Sequence, residues 1–407
     1  MDKKIQDTID FLATQREELI TNKDFQNQKD KVIETFQDKK VLVVGGAGSI
    51  GSSFIYEISK LNTKSIHIID PNENGLTNLV RNLRSKNDKE SYIDLITSPL
   101  DFGSKVTEQF IKENGPYDTV FNFAAIKHVR SEKDIYSIIQ MFDTNVIKQS
   151  NFIEFLLENK LTERYFAVST DKAANPVSLM GASKKIMELV LQHKHLEKTN
   201  LFQTSTTRFA NVAFSKGSLL ESYPIRFERR EPLPVPKDIT RYFLSHEESA
   251  QICILASLGI SNGDILVPKT GDGLKLYPIL EVAKNFIQSK GLEPILVDSK
   301  EEAYKAIRKE KLVEYPIVLT ESDTSGEKKF EEFIGVNEKT VDSEYMNFDV
   351  VQHSDFNVNH LKSFIDGFNS MFQGGHFLNR KELIEDVRGL VDSFNHVDTG
   401  VNLDNRM

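Results

Sequence analysis

Cysteine is nearly absent from this chain of 407 residues, in which Cys253 is the single one. One cysteine excludes an intramolecular disulfide and a zinc site built from several cysteines. The first residues lack the apolar segment and the cleavage site of a signal peptide, and a chain without disulfides is typical of a reducing cytoplasm. We therefore expect a cytoplasmic protein. No grouping of His, Asp and Glu at metal-ligand spacing indicates a metal site.

Long apolar runs and an excess of basic residues are also absent. No apolar stretch approaches the ~18 residues of a membrane-spanning helix, so we expect no membrane span. Lys and Arg total 51 against 60 Asp and Glu, which gives a formal net charge of −9. Nucleic-acid binding needs a basic face, so this composition argues against a nucleic-acid partner. Hydrophobic residues at 39% and charged residues at 27% are typical of a globular chain.

Short β-branched runs alternate with amphipathic helical patterns from residue 39 to about residue 215. Residues 41–44 predict the first strand, and residues 49–60 predict the helix that follows it. Further strands are predicted at 65–69, 92–96, 119–123, 165–168 and 205–209. Buried strands that alternate with helices indicate a parallel sheet covered on both faces. The predicted fold class is therefore α/β, with a Rossmann-type doubly wound parallel sheet.

A glycine-rich segment lies between the first strand and the first helix of this alternation. Gly45, Gly48 and Gly51 have the spacing G-x-x-G-x-x-G. Glycines here let the chain turn, let the backbone approach a pyrophosphate and let helix and strand pack closely. The pyrophosphate would lie at the helix N-terminus, where unpaired N–H groups and the dipole favour negative charge. We predict a dinucleotide-binding loop, to which Ser49 and Ile50 also belong.

Two aspartates at the ends of predicted strands bear on the cofactor. Asp70 ends the second strand and could accept hydrogen bonds from an adenosine ribose, which favours NAD over NADP because a carboxylate repels a 2′-phosphate. The alternative for Asp70 is a turn residue, since residues 71–75 form a turn sequence. Asp101 follows the third strand, where it could bind the adenine amino group or cap the helix that starts near Ser104.

Motifs after the later strands carry a resemblance to a known family. Residues 169–172 read Ser-Thr-Asp-Lys at the end of the fifth strand, and residues 180–184 read Met-Gly-Ala-Ser-Lys at the head of the next helix. With the glycine loop, these motifs make the chain resemble an extended short-chain dehydrogenase/reductase. Within that group it is similar to the nucleotide-sugar 4,6-dehydratases of bacterial polysaccharide biosynthesis, which act on UDP-N-acetylglucosamine. The resemblance covers roughly residues 39–333 and rests on segments 45–51, 122–129, 145–146, 169–173, 175–176, 180–184, 208–212, 241–243 and 326–328.

The resemblance implies a lyase that uses NAD as a tool. Oxidation of the sugar at C4 acidifies C5, removal of the C5 proton and protonation of the C6 oxygen expel water, and the hydride returns to C6. The resemblance implies Lys172 as the base at C5, Asp171 as the acid for the leaving water and Thr170 as a ligand of the C4 oxygen. Lys184 would hold the nicotinamide ribose and supply positive charge, and Ala124 would be a further cofactor contact.

One position departs from the family pattern. Short-chain dehydrogenases normally carry a tyrosine four residues before the lysine, where this chain has Met180. A thioether cannot transfer a proton, so we expect the proton chemistry at Thr170, Asp171 and Lys172, with no group assigned to the C4 hydroxyl. A neutral lysine base needs a lowered pKa, which burial or a cation such as Lys184 would favour and Asp171 would oppose.

The resemblance further implies a cleft for a UDP-sugar partner. Arginine suits a pyrophosphate through its fork of N–H donors, although Arg241 could instead pair with Glu247 or Glu248. Lys127 and His128 follow the fourth strand near the expected nicotinamide and sugar, where a structural role is the alternative for the histidine. The predicted substrate-binding residues are Lys127, His128, Asn211, Lys216, Arg241 and Lys328.

The chain is predicted to have four parts. Besides the doubly wound sheet, they include a smaller C-terminal substrate-binding region and a helical N-terminal extension. They are a helical N-terminal extension (1–38), an NAD-binding Rossmann domain (39–270) with a substrate-contacting insertion at about 213–245, a substrate-binding region (271–345) and a helical C-terminal segment (346–407). Residues 231–236 hold three prolines and are expected to form an extended loop. We expect a soluble, short form of the family without its membrane anchor, and self-association by analogy with the family.

Two other functions are compatible with the same fold. One is a nucleotide-sugar epimerase or dehydrogenase, although such epimerases normally need the tyrosine that Met180 replaces. The other is a non-catalytic NAD-binding protein, and the loss of the tyrosine favours this alternative. Retention of Thr170, Asp171, Lys172 and Lys184 together favours the dehydratase.

Overall fold

The structure is a computed structural model that describes residues 3–86, 93–127, 132–198, 201–259, 264–271, 273–309, 311–320, 330–352 and 355–396. The helices are α1 (Lys3–Thr14), α2 (Asn22–Asn27), α3 (Lys29–Phe36), α4 (Ser49–Ile58), α5 (Glu73–Lys86), α6 (Lys105–Asn114), α7 (Ile135–Phe142), α8 (Lys148–Glu158), α9 (Leu179–Glu197), α10 (Ser222–Glu228), α11 (His246–Ser257), α12 (Ile279–Ser289), α13 (Lys300–Ile307), α14 (Val358–Phe372) and α15 (Arg380–Leu390). The strands are β1 (Lys40–Val44), β2 (Ser65–Ile69), β3 (Asp94–Ser98), β4 (Thr119–Asn122), β5 (Arg164–Thr170), β6 (Gln203–Phe209), β7 (Asn211–Val212), β8 (Leu233–Pro236), β9 (Thr240–Leu244), β10 (Ile265–Pro268), β11 (Leu276–Pro278), β12 (Glu293–Val297), β13 (Glu314–Thr320), β14 (Lys339–Val341) and β15 (Phe348–Gln352).

A nine-stranded sheet forms the centre of the fold. Its strand order is β14-β15-β10-β6-β5-β4-β1-β2-β3. In this order, all strands from β10 through to β3 at the other edge are parallel. The remaining two are antiparallel: β15 pairs with β10, and β14 pairs with β15. The order reverses direction between β1 and β4, where a doubly wound sheet opens its ligand crevice at the carboxyl ends of the strands. The predicted α/β class with a doubly wound parallel sheet is confirmed.

Both faces of this sheet are covered, because alternate side chains of each strand point to opposite faces. On β1, Leu42 and Val44 belong to one buried cluster, with side chains from α7, α8, α9, α14 and α15. Val41 and Val43 belong to a second cluster on the other face, with side chains from α3, α4, α5 and α11. Burial on both faces explains why the strand sequences are continuous apolar runs rather than alternating ones.

Two smaller sheets of three strands each are formed by segments that follow β6 in the chain. One has the order β11-β9-β7 and contains Arg241 on β9, and the other is the parallel set β12-β13-β8. Residues 233–236, expected to form a loop because of their prolines, instead form β8, with Leu233 opposite Ile317. The loop prediction was wrong because β8 is an edge strand, and an edge strand tolerates residues without an N–H donor.

The two ends of the chain differ in detail from the predicted pattern. The described part of the N-terminal extension, predicted to be helical, contains α1, α2 and α3. The segment 346–407, expected to be helical, also supplies β15 to the main sheet. Within the described residues, no helix has the length and apolar character that crossing a bilayer requires.

A π-helical turn at Asp143–Ile147 interrupts the helical run between α7 and α8. The extra residue in such a turn changes the direction of the side chains, and π-turns are frequent at functional sites. Here the turn buries Asn145, whose amide nitrogen donates to Ser183 Oγ at 2.9 Å and to the Ile126 carbonyl at 2.9 Å. Asn145 therefore joins the loop after β4 to α9, the helix with the predicted lysine of the site.

Candidate active site

The glycine loop has the geometry that a close approach to phosphate requires. Gly45 has a φ of 75°, and a Cβ at Gly45 would lie 2.6 Å from the backbone nitrogen of Ala124. A Cβ at Gly51 would lie 2.5 Å from the carbonyl oxygen of Gly45. Gly48 is the N-cap residue of α4, so the first N–H groups of that helix face the loop. Two of the predicted cofactor-binding positions, Gly45 and Gly51, thus depend on the absence of a side chain.

Asp70 supports this loop directly. Its Oδ2 accepts a hydrogen bond from the Ala47 N–H at 3.0 Å, and its Oδ1 accepts one from the Asn72 N–H at 2.8 Å. The side chain therefore has the turn role that we considered as an alternative, and it also ties the phosphate loop to the end of β2. A contact with ribose stays a prediction.

Asp101 binds a lysine rather than capping a helix. Lys148 Nζ lies 2.9 Å from Asp101 Oδ2, while Ser104 is the N-cap of α6 and accepts from the Thr107 N–H. Burial acts to raise the pKa of Asp101, but the contacts with Lys148 and with the Gly103 N–H together outweigh burial and hold the pKa below its usual value. The capping alternative is therefore wrong, and the adenine contact stays a prediction.

A cavity of about 440 Å³ brings together the four predicted catalytic residues. Thr170 ends β5, Asp171 and Lys172 lie in a single 3₁₀ turn after it, and Lys184 comes from the second turn of α9. Met180 lines the same cavity at the place of the usual tyrosine. Ile50 of the glycine loop lines it as well, so the cavity opens on the predicted cofactor loop.

Within the cavity, neighbouring side chains form a short hydrogen-bonded chain. Thr170 Oγ1 donates to Asp171 Oδ1 at 2.8 Å, and Lys172 Nζ donates to the same oxygen at 3.0 Å. Asp171 is only 2% exposed, and its Oδ2 has no hydrogen-bond partner among the described residues. A buried carboxylate oxygen without a donor is costly, so a ligand hydroxyl in the cavity would satisfy it.

Lys172 contacts a second carboxylate that the sequence did not point to. Its Nζ lies 3.6 Å from Glu331 Oε1, and the Glu331 side chain is 3% exposed. Burial acts to lower the pKa of Lys172, but Asp171 and Glu331 outweigh both burial and the nearby Arg241, so the pKa lies above its ordinary value. The lowered pKa that a neutral lysine base needs is therefore not found in this site without substrate.

Lys184 has the opposite electrostatics. Its ammonium is buried, and its Nζ lies 3.0 Å from the sulfur of Met187, a weak acceptor. Burial lowers the pKa of Lys184 to about 8, although Glu188 acts to raise it. A buried ammonium beside a thioether suits a ligand that supplies hydroxyl oxygens, such as a ribose.

The N-terminus of α9 is held by Glu132, which lies in the segment just before α7. The Met180 N–H donates to Glu132 Oε1 at 3.0 Å, and Ser178 caps the helix by accepting from the Gly181 N–H. Burial raises the pKa of Glu132, although the Met180 and Leu179 N–H groups act to lower it. Met180 itself is 3% exposed, so its side chain packs as a core residue at the cavity wall.

The predicted substrate residues fall into three groups. Lys127, Asn211 and Arg241 line the same cavity as Lys172. Lys216 lies against the phosphate loop, with its Nζ 2.9 Å from the Ala47 carbonyl oxygen and its N–H donating to Ser49 Oγ. Lys216 therefore lines a neighbouring cavity instead. The predicted residues His128 and Lys328 lie outside the described residues.

The sequence left open whether Arg241 pairs with Glu247 or Glu248, and the structure gives Glu248 a different partner. Glu248, a candidate partner, forms an ion pair with Arg16 at 2.5 Å and completes the capping box of α11. Arg241 is 8% exposed, and its Nη1 donates to the Thr240 carbonyl at 2.9 Å.

A buried ion network anchors the segment that contains Glu331. Arg208 is fully buried and binds Glu188 and Glu338, each through contacts of 2.6 Å, as well as the Phe333 carbonyl at 2.9 Å. Glu188 in turn accepts from Ser169 Oγ at 2.6 Å, directly before Thr170. The end of β5, the middle of α9 and the segment after residue 330 are therefore held as one unit. Sequence reasoning missed this network because its members are far apart in the chain.

The strand order, the glycine loop and the lysine on α9 together define an extended short-chain dehydrogenase/reductase fold. The chain belongs to the polysaccharide biosynthesis protein family, whose profile matches residues 41–349. The predicted resemblance to short-chain dehydrogenases of polysaccharide biosynthesis is thereby confirmed.

Curated relatives differ in length and in name. An uncharacterised membrane protein of Methanocaldococcus jannaschii is 30% identical over 249 residues, which are 61% of this chain and 71% of that protein. The capsular polysaccharide biosynthesis protein CapD of Staphylococcus aureus is 28% identical over 62% of this chain and 41% of its own length. The UDP-glucose 4-epimerase of Rickettsia prowazekii is 28% identical over 58% of this chain and 67% of its own length. The chain thus spans less than half the length of CapD.

Solved structures share the fold at low sequence identity. Pen from Bacillus thuringiensis has a TM-score of 0.61 at 20% identity, over 78% of this chain and 88% of its own. The enzyme WbmF of Bordetella bronchiseptica, solved in complex with NAD⁺ and UDP, has a TM-score of 0.51 at 18% identity, over 63% and 80% of the two chains. At such identities the likeness concerns the fold.

Proposed function

We propose that the protein catalyses the NAD-dependent dehydration of a UDP-sugar, with UDP-N-acetylglucosamine converted to the 4-keto-6-deoxy sugar. The observation that carries the proposal is the hydrogen-bonded chain Thr170–Asp171–Lys172 at the wall of a cavity that is also lined by Met180, in the place of the usual tyrosine. An elimination needs a base and an acid at adjacent carbons, and the side chains of Lys172 and Asp171 offer both. A simple epimerisation at C4 has no evident use for the Asp–Lys pair.

The residues around the glycine loop fit a nicotinamide dinucleotide. The space at the glycine loop, which added Cβ atoms would fill, suits a pyrophosphate. The buried ammonium of Lys184 suits a ribose diol. NAD bound there would supply reversible removal of a hydride from C4 of the sugar. The complex of WbmF with NAD⁺ and UDP supports this choice. Asp70, Asp101 and Ala124 are the proposed contacts on the adenosine side.

Thr170 provides a path for the proton of the C4 hydroxyl. A threonine hydroxyl can accept one hydrogen bond while it donates another, and Thr170 already donates to Asp171. A sugar hydroxyl that donates to Thr170 Oγ1 could pass its proton through this hydroxyl to Asp171. Protonated in this way, Asp171 is the acid that the leaving C6 oxygen needs, and its unpartnered Oδ2 faces no competing donor among the described residues.

Arg241 is the proposed ligand of the sugar nucleotide's pyrophosphate. It is a buried guanidinium on the wall of the cavity, close enough to Lys172 to act on its pKa. Arginine binds phosphate oxygens through two parallel N–H donors, which fixes orientation as well as charge. Asn211 and Lys127 line the same cavity and are further proposed contacts, together with Lys328 and His128.

The mass of the product tests the function. Purified protein is incubated with UDP-N-acetylglucosamine and NAD⁺, and the nucleotide sugar is then weighed by mass spectrometry. We expect the loss of one water with no accumulation of NADH. In heavy water, solvent deuterium should enter at C5, because that proton passes through exchangeable groups on Lys172.

An epimerase is the second candidate, because several relatives bear the name UDP-glucose 4-epimerase. A product of unchanged mass with inverted configuration at C4, seen by NMR, would favour it over the dehydratase. Loss of two hydrogens with stoichiometric NADH would instead identify a dehydrogenase. A substrate unchanged in both respects would leave a non-catalytic NAD-binding protein.

A further inference from the structure

The loop between β7 and α10 brings Lys216 onto the glycine loop. The Lys216 N–H donates to Ser49 Oγ at 2.8 Å, and its Nζ donates to the Ala47 carbonyl at 2.9 Å. Ser49 is the first residue of α4, and Ala47 lies within the glycine loop. The backbone and the ammonium of one residue thus both contact the segment that is proposed to receive a pyrophosphate.

The backbone on either side of Lys216 is held in an unusual conformation. Phe214 has a φ of 50° and Gly217 a φ of 77°, both in the left-handed region. This conformation is costly for a residue such as phenylalanine, and it persists only where the surroundings hold it. The Phe214 ring packs against Phe286 with 6.3 Å between the ring centroids, and the Gly217 N–H donates to Glu221 Oε2 at 2.5 Å. The fold therefore fixes where the backbone of Lys216 lies.

The ammonium of Lys216 has donors to spare at this place. An ammonium has three N–H donors, and within the described part of the chain the Ala47 carbonyl is the single acceptor that Lys216 Nζ contacts. An anionic oxygen attracts an ammonium more strongly than a neutral carbonyl does. The side chain can therefore bind an anion at the glycine loop through its remaining donors.

The N-terminus of α4 favours the same kind of ligand. Its N-cap residue is Gly48, which has no side chain that could accept from the first N–H groups of the helix. Those N–H groups and the helix dipole attract negative charge. An uncapped helix N-terminus and the ammonium of Lys216 thus meet at Ser49 and Ala47, and together they suit a ligand with two negative charges, as a pyrophosphate has.

We propose that Lys216 binds the pyrophosphate of the dinucleotide cofactor, instead of the UDP-sugar expected from the sequence. This inference rests on the proposed function, because it takes the glycine loop as the NAD site. Lys216 lines one cavity together with Ala47 and Ser49, whereas Arg241 lines the cavity of the catalytic residues. The cofactor and the sugar nucleotide would then each have a separate cation for their phosphate groups.

Affinities of three variants for two probes provide the first measurement. Isothermal titration calorimetry of the full chain gives the Kd for NAD⁺ and, separately, the Kd for UDP. For Lys216→Met we expect the Kd for NAD⁺ to rise roughly 10- to 100-fold, as for the loss of a hydrogen bond to a charged group, with the Kd for UDP little changed. Lys216→Arg keeps the charge and should retain most of the affinity. Lys60→Met is the matched control, because Lys60 lies just past the other end of α4, paired with Glu57, and both Kd values should stay unchanged.

The salt dependence of binding separates a lost charge from a damaged loop. Salt screens the attraction between a cation and a phosphate at the protein surface. The Kd of the unmodified protein for NAD⁺ should therefore rise with salt concentration, and the Kd of Lys216→Met should rise less steeply. Weaker binding by Lys216→Met with the salt dependence of the unmodified protein would mean a distorted loop and would overturn the proposal.

Each of the other results overturns the assignment in a recognisable way. A higher Kd for UDP with an unchanged Kd for NAD⁺ would make Lys216 a ligand of the sugar nucleotide. Unchanged values for both probes would make its contacts with the glycine loop incidental, and equal losses for both would make them structural. If the unmodified protein binds no NAD⁺, the cofactor assignment in the proposed function fails, and this inference fails with it.

Discussion

The ammonium nitrogen of Lys184 lies 3.0 Å from the sulfur of Met187, inside the protein. This contact replaces hydration by a weak acceptor, and burial lowers the pKa of Lys184 to about 8 from 10.5. The charged form is therefore disfavoured in the folded protein without its cofactor, at about 1.4 kcal/mol for each unit of pKa shift.

Replacement of this lysine should stabilise the protein without ligand. For Lys184→Met we expect a larger free energy of unfolding at pH 7, because no charge is buried. Between pH 8 and 10.5 the unfolded chain holds a proton that the folded protein has lost, so the unmodified protein gains stability there and the gap narrows. Denaturant unfolding at pH 7 and pH 10 measures both values. NAD affinity should fall in the same variant, and a gap that widens with pH would contradict the assignment.

The carboxylate of Asp70 is predicted to select NAD. Asp70→Ala should weaken NAD binding and narrow the difference from NADP, because it removes the negative charge and the acceptor of the Ala47 N–H. Asp70→Asn is the control, since its amide oxygen can still accept that N–H. Fluorescence titration with both dinucleotides gives the affinities. Tighter binding of NADP than of NAD by the unmodified protein would refute the prediction.

Loss of either member of the proposed proton-transfer pair, Asp171 and Lys172, should stop turnover and leave the cofactor bound. Asp171→Asn and Lys172→Ala should each reduce kcat on the order of 10²–10⁴-fold, as expected for acid–base groups, with little change in NAD affinity. Product formation is followed by chromatography of the nucleotide sugar, and binding by titration. Near-normal turnover in either variant would remove that residue from the mechanism.

Met180 should tolerate an apolar replacement. The side chain is 3% exposed at the cavity wall, and leucine conserves its volume, so Met180→Leu should cost less than about 1.5 kcal/mol of stability. Because methionine has no proton to give, we expect most of the activity to remain. A loss as large as that of Lys172→Ala would mean that the thioether does more than fill space.

The buried ion network should carry a large share of stability. Glu188→Gln leaves the fully buried Arg208 with less negative charge and should destabilise the protein by about 3–5 kcal/mol. Glu108→Gln on the surface, whose partner Lys105 is 90% exposed, is the control and should cost less than about 1 kcal/mol. Urea unfolding of the three proteins measures the difference, and equal midpoints would contradict the buried role of Arg208.

The main sheet and the cavity residues near β5 could be predicted because their signals are local. Continuous apolar runs indicate buried strands, and the motif at residues 169–172 lies directly at the end of one of them. The glycine loop is equally local, since its three glycines lie between β1 and α4. The prediction of a helical C-terminal segment is likewise local, and that segment contains α14 and α15.

Features that depend on distant parts of the chain were not predictable in this way. Glu331 has no local signal, because its importance comes from Lys172, which precedes it by many residues and meets it only in the folded protein. The strand β8 was missed because its partner β13 also lies far from it in the chain. Lys216 was expected in the substrate cleft, but the fold places its amine on the Ala47 carbonyl. In each case the surroundings of the residue or strand depend on tertiary contacts, which the local sequence does not reveal.

The last parallel strand, β10, is covered on its outer side only by β15, and β15 lies near the far end of the chain. As the protein emerges from the ribosome, the N–H and C=O groups on that side of β10 stay open until residues 348–352 have been synthesised. Both small sheets must therefore be made while this edge is still exposed to other nascent chains. A truncation after residue 345 would keep Lys172 and Lys184 but leave the backbone groups on this edge of β10 unpaired, so the truncated chain should aggregate during expression.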